Sequence, residues 1–294
     1  MGTPINHTMK GVGGVVILYH PVAAVFDNIK TYAGSLEKLW VIDNTEGDVQ
    51  HYRDYFTGYS NIDIIQDGYN KGIGARINTA LKQAEQMGCQ WLLTMDQDSS
   101  FSAANLAAYI KVVDSINVQE KIAEIGVRFH HEEKQPDAEI VLRNDLTLIT
   151  SGSCINLRAV KEIGYLNEEL FIDEVDSEFC YRAAAAGWQV MVCEGIYLRH
   201  ELGERKTVRS LATAKQSNRG IHSPVRLYYM TRNFCWVKKK YQALFPALFR
   251  VRTKQLIHVF KNNLLYNRKK FQVLRMIVKG YLDFKRNKLG KLTN

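Results

Sequence analysis

Cysteine is scarce in this chain and never grouped. The five residues, at 89, 154, 180, 193 and 235, form no C-x-x-C pair. Neither a zinc-ligand set nor a disulfide framework is therefore written into the sequence. They are expected to be small buried side chains in a reducing compartment. Long apolar runs are missing too: nothing approaches the roughly 18 residues that span a bilayer. The stretch from Met1 to Gly11 is polar and the run that follows, Val12 to Tyr19, is short, unlike a signal peptide. A cytosolic protein is expected. The G-x-G-x-x-G fingerprint of dinucleotide folds is not supplied by Gly11 to Gly14, which disfavours NAD. Acids all but vanish near the C-terminus. From Arg226 to Asn294 there are 18 Lys and Arg against one acid, Asp283, a balance of +17; with +9 for the whole chain, the remainder carries −8. Such a shift in composition marks a functional division.

What is present alternates between strand-like and helix-like segments. Gly13–Tyr19, Leu39–Asp43, Ile62–Gln66, Trp91–Met95 and Ile122–Val127 read as strands. Val22–Ala33, Ile73–Met87 and Ala103–Val113 read as helices between them. The order predicts an α/β fold, a mostly parallel sheet flanked by helices on both faces. Leu146–Thr150 then leads into Ser151-Gly152-Ser153. Val160–Ile163 and Glu174–Ala186 read as helices and Gln189–Cys193 as a strand. Beyond Ser223 the pattern changes to long helices rich in Lys, Arg, Tyr, Phe and Leu. Two domains are expected, 1–222 catalytic and 223–294 basic, amphipathic and helical.

Chemistry concentrates at strand ends. Asp96-Gln97-Asp98 follows the apolar run Trp91–Met95 directly. Two carboxylates where a strand breaks into a loop can face the crevice at which open α/β sheets bind ligands. They suit a hard divalent cation, Mg²⁺ or Mn²⁺, that takes further oxygens from a diphosphate. An exposed turn is the plain alternative for so short a motif. Asp43-Asn44 closes the second strand. The loop Asn70 to Asn78 carries Gly72 and Gly74 into a helix, whose N-terminus favours phosphate. Phe171-Ile172-Asp173-Glu174-Val175-Asp176-Ser177-Glu178 puts four carboxylates in six residues at the mouth of a helix. Helix-dipole complementarity explains some of them. Asp173, after two apolar residues, is the one that could serve as a general base. His200, after a strand-like run, is either structural or a further ligand returning to the same crevice.

In order and spacing, VVILYHP, VIDN, NKGIGARIN, LLTMDQDS, SGSCI, FIDEVDSEFCYR, RHELG and HSPVRLYYMTRN together resemble the family 2 glycosyltransferases, across about residues 12–235. The similarity is to the bacterial rhamnosyltransferase-like branch that builds surface polysaccharides. It implies a GT-A fold and an inverting, metal-dependent transferase. It places Tyr19, Asp43, Asn70, Arg76, Asn78, Asp96 and Gln97 around the nucleotide sugar, with Asp43 on the base. It makes Asp96 and Asp98 the metal pair, Asp98 the more direct ligand, with His200 completing the site in some members. Gly152 and Ser153 match the floor of the acceptor region. Asp173 is the expected base and Glu174 the runner-up, because the commoner E-D-x-D pattern would put the base at 174. Asp176 is expected to hold local structure.

Arg226 and Arg232 are candidates for diphosphate contacts, or else surface charge. The implied donor is dTDP-β-L-rhamnose and the implied acceptor a lipid-linked or oligosaccharide surface-polysaccharide precursor. Galactofuranose, galactose or glucose from a UDP-sugar remains the alternative. The basic tail, with interleaved Leu, Phe, Tyr and Ile, fits an anionic membrane surface, so the expected location is the cytoplasmic face of the inner or plasma membrane. A solvated helical face is the plain reading of the same tail. Nucleic-acid binding through the tail is the distant alternative; no nucleic-acid motif accompanies it. The sequence leaves homo-oligomerisation open.

Overall fold

A computed structural model describes residues 9–48, 51–117, 120–200, 205–209 and 216–293. Residues 201–203 of the RHELG segment lie outside the described residues. The chain divides into two compact units, Met1–Phe171 with Val175–Glu201, and Ile172–Glu174 with Leu202–Asn294.

The first unit is built on β1 (Met9–Leu18), α1 (Ala24–Ala33), β2 (Leu36–Asp43), β3 (Ile62–Gln66), α2 (Ile73–Met87), β4 (Trp91–Asp96), β5 (Ser99–Ser100) and α3 (Ala103–Ser115). It continues through β6 (Ile122–His130), β7 (Val141–Asn144), β8 (Ser153–Asn156), α4 (Leu157–Ile163), α5 (Val175–Ala185) and β9 (Gln189–His200). The sheet runs β3-β2-β1-β4-β8-β6-β9-β5, with β7 also paired to β9. Strands β3, β2, β1 and β4 are parallel, and β6 is parallel to β9. β8 runs antiparallel to both β4 and β6. The central strands are buried on both faces, so they read as apolar runs rather than alternating ones. The chain order reverses between β1 and β4, which opens a crevice at their C-terminal ends.

Strand β9 extends seven residues past the expected Gln189–Cys193, and β7 pairs with it as an unforeseen antiparallel neighbour. The register against β6 slips between Val127 and Arg128, and Gly195 sits at φ 94°. Gly195, two residues past the expected strand end, lies at a bulge inside a longer strand. The extension matters, because it carries the chain on to His200.

A carboxyl lies inside this unit, within a strand rather than at its end. Glu124 on β6 is buried (2% exposed) and accepts a hydrogen bond from Cys180 Sγ at 3.3 Å. Burial pushes it up to about 8. The folded state holds this proton where an unfolded chain releases it. Stability should therefore be highest below the unfolded carboxyl range near 4.5 and fall as pH rises towards 8. Glu124→Gln should flatten that slope and raise the melting temperature at pH 8, by an amount worth a few kcal/mol at most. Melting curves from pH 5 to 8 check this; an unchanged slope would mean that other groups set it.

The second unit contains the antiparallel pair β10 (Arg205–Arg209) and β11 (Gln216–Gly220), then α6 (Pro224–Tyr241), α7 (Pro246–Tyr266) and α8 (Lys270–Lys285). Ser223 caps α6 by accepting from Arg226 N, and Pro224 stands at the first helical position. The tail's single acid, Asp283, is buried and accepts from Tyr228 OH at 3.0 Å and Lys279 Nζ at 2.8 Å. Burial alone would favour its neutral form; these two donors outweigh that and hold the carboxyl below its usual range.

Candidate functional site

β4 ends in Asp96, and the chain turns through Gln97 and Asp98 into the two-residue strand β5. Because β5 pairs antiparallel with β9, Ser99 stands opposite His200. Ligand atoms of Asp96, Asp98 and His200 all lie within 4.8 Å of one another. Ser99 Oγ is 2.7 Å from His200 Nδ1, and Asp98 Oδ1 is 3.4 Å from the same nitrogen. Ser151 Oγ accepts from Asp96 N at 3.1 Å. Two carboxylates and an imidazole, all half-buried, are a donor set that fits a divalent cation.

Gln97 faces the end of β1. Its Oε1 accepts from Tyr19 N at 2.9 Å, its Nε2 donates to Tyr19 O at 3.1 Å, and Asn28 Nδ2 donates to its carbonyl at 3.2 Å. The acidic turn is thereby fastened to the β1 end across the reversal of chain order. Tyr19 is 46% exposed, hydrogen-bonded to Asn70, and its phenol is raised by burial and by the Glu46 carboxylate. Asp43, at the end of β2, is buried and accepts from Thr45 N at 2.9 Å and Gln66 Nε2 at 3.4 Å.

Beneath this rim lies a second layer. Asn70 Oδ1 accepts from Asn44 Nδ2 at 3.0 Å and Gly72 N at 3.1 Å. Arg76 is buried, donates to Asn44 Oδ1 at 2.9 Å, forks onto both oxygens of Asp67 and reaches the Tyr69 carbonyl. Hydrogen bonds from Arg76, and then Lys71, hold Asp67 well below the usual carboxylate range. Asn78 exchanges hydrogen bonds with the Leu166 backbone in both directions, at 2.9 and 3.0 Å, and donates to Glu168 at 2.8 Å. Gly72 sits at φ 83°, and a Cβ there would fall 2.6 Å from the Phe171 carbonyl, so only glycine fits. Arg76 and Asn78 thus brace the loop, and Asn70, hydrogen-bonded to Tyr19, joins it to the rim of Tyr19, Asp43 and Gln97.

Gly152 and Ser153 are both buried, with Ser153 Oγ donating to Ile149 O at 2.7 Å. Asp176 accepts from Thr150 N at 3.2 Å and Ser177 N at 2.7 Å, a local bracing role. Asp67, Ser99 and Ser151 escaped the sequence reading. For Asp67 the signal was an acid in a D-G turn straight after β3; the two serines had none.

The second unit holds Asp173 and Glu174. Asp173 Oδ1 accepts from Arg226 Nη2 at 3.2 Å. Its other oxygen, Oδ2, is buried and has no hydrogen-bond partner among the described residues. Burial raises the carboxyl above its usual range, and the Arg226 charge pulls part of that back. Glu174 is gripped by both Nη atoms of Arg252, at 2.9 and 2.7 Å. Arg232 is fully buried and donates to Asn233 Oδ1 (2.9 Å), Gly290 O (2.7 Å) and Tyr228 OH (3.3 Å). Its donors are thus turned inward within the helical unit. Arg226 is exposed.

No protein-family model matches the chain. It is 27% identical over 289 residues to the dTDP-rhamnosyl transferase RfbF of Shigella flexneri, an alignment covering 88% of this chain and 93% of that protein. Among solved structures, GalNAc-T7 with UDP, GalNAc and Mn²⁺ superposes with a TM-score of 0.53 at 9% identity, over 67% of this chain and 44% of the other. The S. aureus protein TarS superposes with a TM-score of 0.54 at 15% identity, over 94% of this chain and 48% of the other. The chain has the GT-A fold of these glycosyltransferases. It spans about half the length of the two solved structures. Asp96, Asp98 and His200 form a cluster whose ligand atoms could hold a divalent cation.

Proposed function

We propose that this transferase moves L-rhamnose from dTDP-β-L-rhamnose to a lipid-linked surface-polysaccharide acceptor, with inversion. The similarity to a dTDP-rhamnosyl transferase along nearly the whole chain carries the choice of donor. The acceptor hydroxyl attacks the anomeric carbon as the bond to the diphosphate breaks on the opposite face. Asp173, with one oxygen tethered to Arg226 and the other unpartnered, takes the hydroxyl proton. Tyr19, Asp43, Asn70 and Gln97 hold the nucleotide over the bracing by Arg76 and Asn78, and Arg226 is the exposed guanidinium available to phosphate. Gly152 and Ser153 shape the acceptor side through backbone. A bound Mg²⁺ or Mn²⁺ would neutralise charge developing on the diphosphate.

A thermal-shift panel of nucleotide sugars tests the donor, because a ligand that binds only the folded state raises its apparent stability. dTDP-rhamnose with Mn²⁺ should stabilise most, and UDP-glucose, UDP-galactose and UDP-galactofuranose little. A larger response to a UDP-sugar would reassign the donor and leave the chemistry intact.

The basic helices supply a membrane-facing surface in this reading. No helix among the described residues is long and apolar enough to cross a membrane. On α8, however, Phe271, Leu274, Val278 and Leu282 are exposed along one face, Phe271 at 90%, and Arg275, Lys285 and Arg286 share that face. Apolar side chains beside cations suit an anionic lipid interface. The protein should sediment with phosphatidylglycerol vesicles at 0.15 M salt, and Phe271→Asp should weaken that about tenfold or more. Indifference to anionic vesicles would leave the helices as a solvated face.

A further inference from the structure

The Asp173 turn is strained, and a set of buried contacts inside the helical unit holds it. Phe171, Asp173 and Glu174 have φ of 66°, 61° and 69°. None is glycine, and side chains rarely accept this region without support. Asn233 on α6, fully buried, donates through Nδ2 to the carbonyls of Ile172 (2.7 Å) and Asp173 (3.0 Å). Its Oδ1 accepts from Arg232 Nε, and Arg232 is itself anchored on the Gly290 carbonyl. The amide is therefore oriented by a buried arginine that also packs over the Tyr228 and Tyr229 rings. Arg252 on α7 fixes the next residue by its two-pronged grip on Glu174.

We propose that Asn233, oriented by Arg232, and Arg252 are positioning residues for transfer. They hold Asp173 and Glu174 in their left-handed conformation, leave Asp173 Oδ2 without a hydrogen bond of its own and so able to take the acceptor proton, and keep Glu174 occupied as a structural ion pair. The assignment rests on Asp173 being the base.

The test is a double-mutant cycle on the full-length protein with Mn²⁺, using Asn233→Asp, Asp173→Asn and the pair together. Asn233→Asp keeps the side chain's shape and its acceptor for Arg232 but removes both donors. It should lower kcat about 100-fold, the cost of a misplaced catalytic group. Donor KM and calorimetric nucleotide affinity should stay within about twofold. In the Asp173→Asn background the same change should cost almost nothing, because Asn233 acts only through that carboxylate. A general loss of structure would instead lower both backgrounds alike. If Asn233→Asp keeps kcat within threefold while Asp173→Asn abolishes transfer, or if the two losses add, the inference falls and the base stands. If Asp173→Asn is active, the base reading itself falls. Should Asn233→Asp not fold, Arg252→Gln decides by the same cycle.

Discussion

Asp173→Asn should reduce the rate of sugar transfer by about 10³-fold, within the range a positioned base contributes, while nucleotide affinity changes by less than twofold. The substitution is nearly isosteric. It leaves an oxygen for Arg226 and removes only the group that accepts a proton. Glu174→Gln should behave differently, because Glu174 already accepts two hydrogen bonds from Arg252. A carboxylate so engaged has to break a two-pronged ion pair before it can take a proton, and its loss should appear mainly as lowered stability. The two variants, compared by initial rates and by melting temperature, separate the roles. If Glu174→Gln abolishes transfer and Asp173→Asn does not, the assignment is reversed.

The same carboxylate sets an expected pH profile. Burial raises it and Arg226 only partly offsets this. Because the base acts in its ionised form, transfer should decline as pH falls, with an acid limb above the ordinary carboxylate range. Arg226→Gln removes the offsetting cation and should move that limb to higher pH. A limb that moves lower or stays still would contradict the electrostatic account.

Much of this arrangement was legible in the sequence because the signals are local. Strand β3 and helix α2 begin and end where their patterns predict, since an apolar run with turn residues beyond it leaves few alternatives. The Asp-x-Asp turn was readable because it follows an apolar strand directly. His200 was readable only as a suggestion: its partnership depends on β9 running through the Gly195 bulge and pairing with β5, and a two-residue strand has no periodicity to detect. Arg76 and Asn78 carried a nucleotide-side expectation from motif order alone. Their bracing partners, Asp67 and the Leu166 backbone, lie up to 88 residues away along the chain, which no spacing rule reveals. The grip of α6 and α7 on the Asp173 turn is of the same kind. It joins segments about 60 to 78 residues apart through one amide and one guanidinium.

Asp98→Asn should abolish the Mn²⁺ dependence of nucleotide binding while leaving the fold intact. Changes to groups that merely orient metal ligands typically cost 10–100-fold in affinity, so removing a ligand charge should weaken Mn²⁺ by about 100-fold or more. The cluster has a specific reason to depend on this side chain. Asp98 and Ser99 both approach His200 Nδ1, so Asp98 offers a carboxylate and also faces the imidazole that would share the cation. Its neighbour Gln97 keeps the turn docked on Tyr19 through two hydrogen bonds, so the variant should retain its backbone and melt within a few degrees of the wild type. Titration of Mn²⁺ followed by magnetic resonance of the free ion reads the effect without an assay of transfer. Wild-type protein stripped with a chelator should match the variant in nucleotide affinity, and adding Mn²⁺ should restore the wild type alone. If Asp98→Asn binds Mn²⁺ normally but melts far lower, the carboxylate serves the turn, and the cation belongs elsewhere.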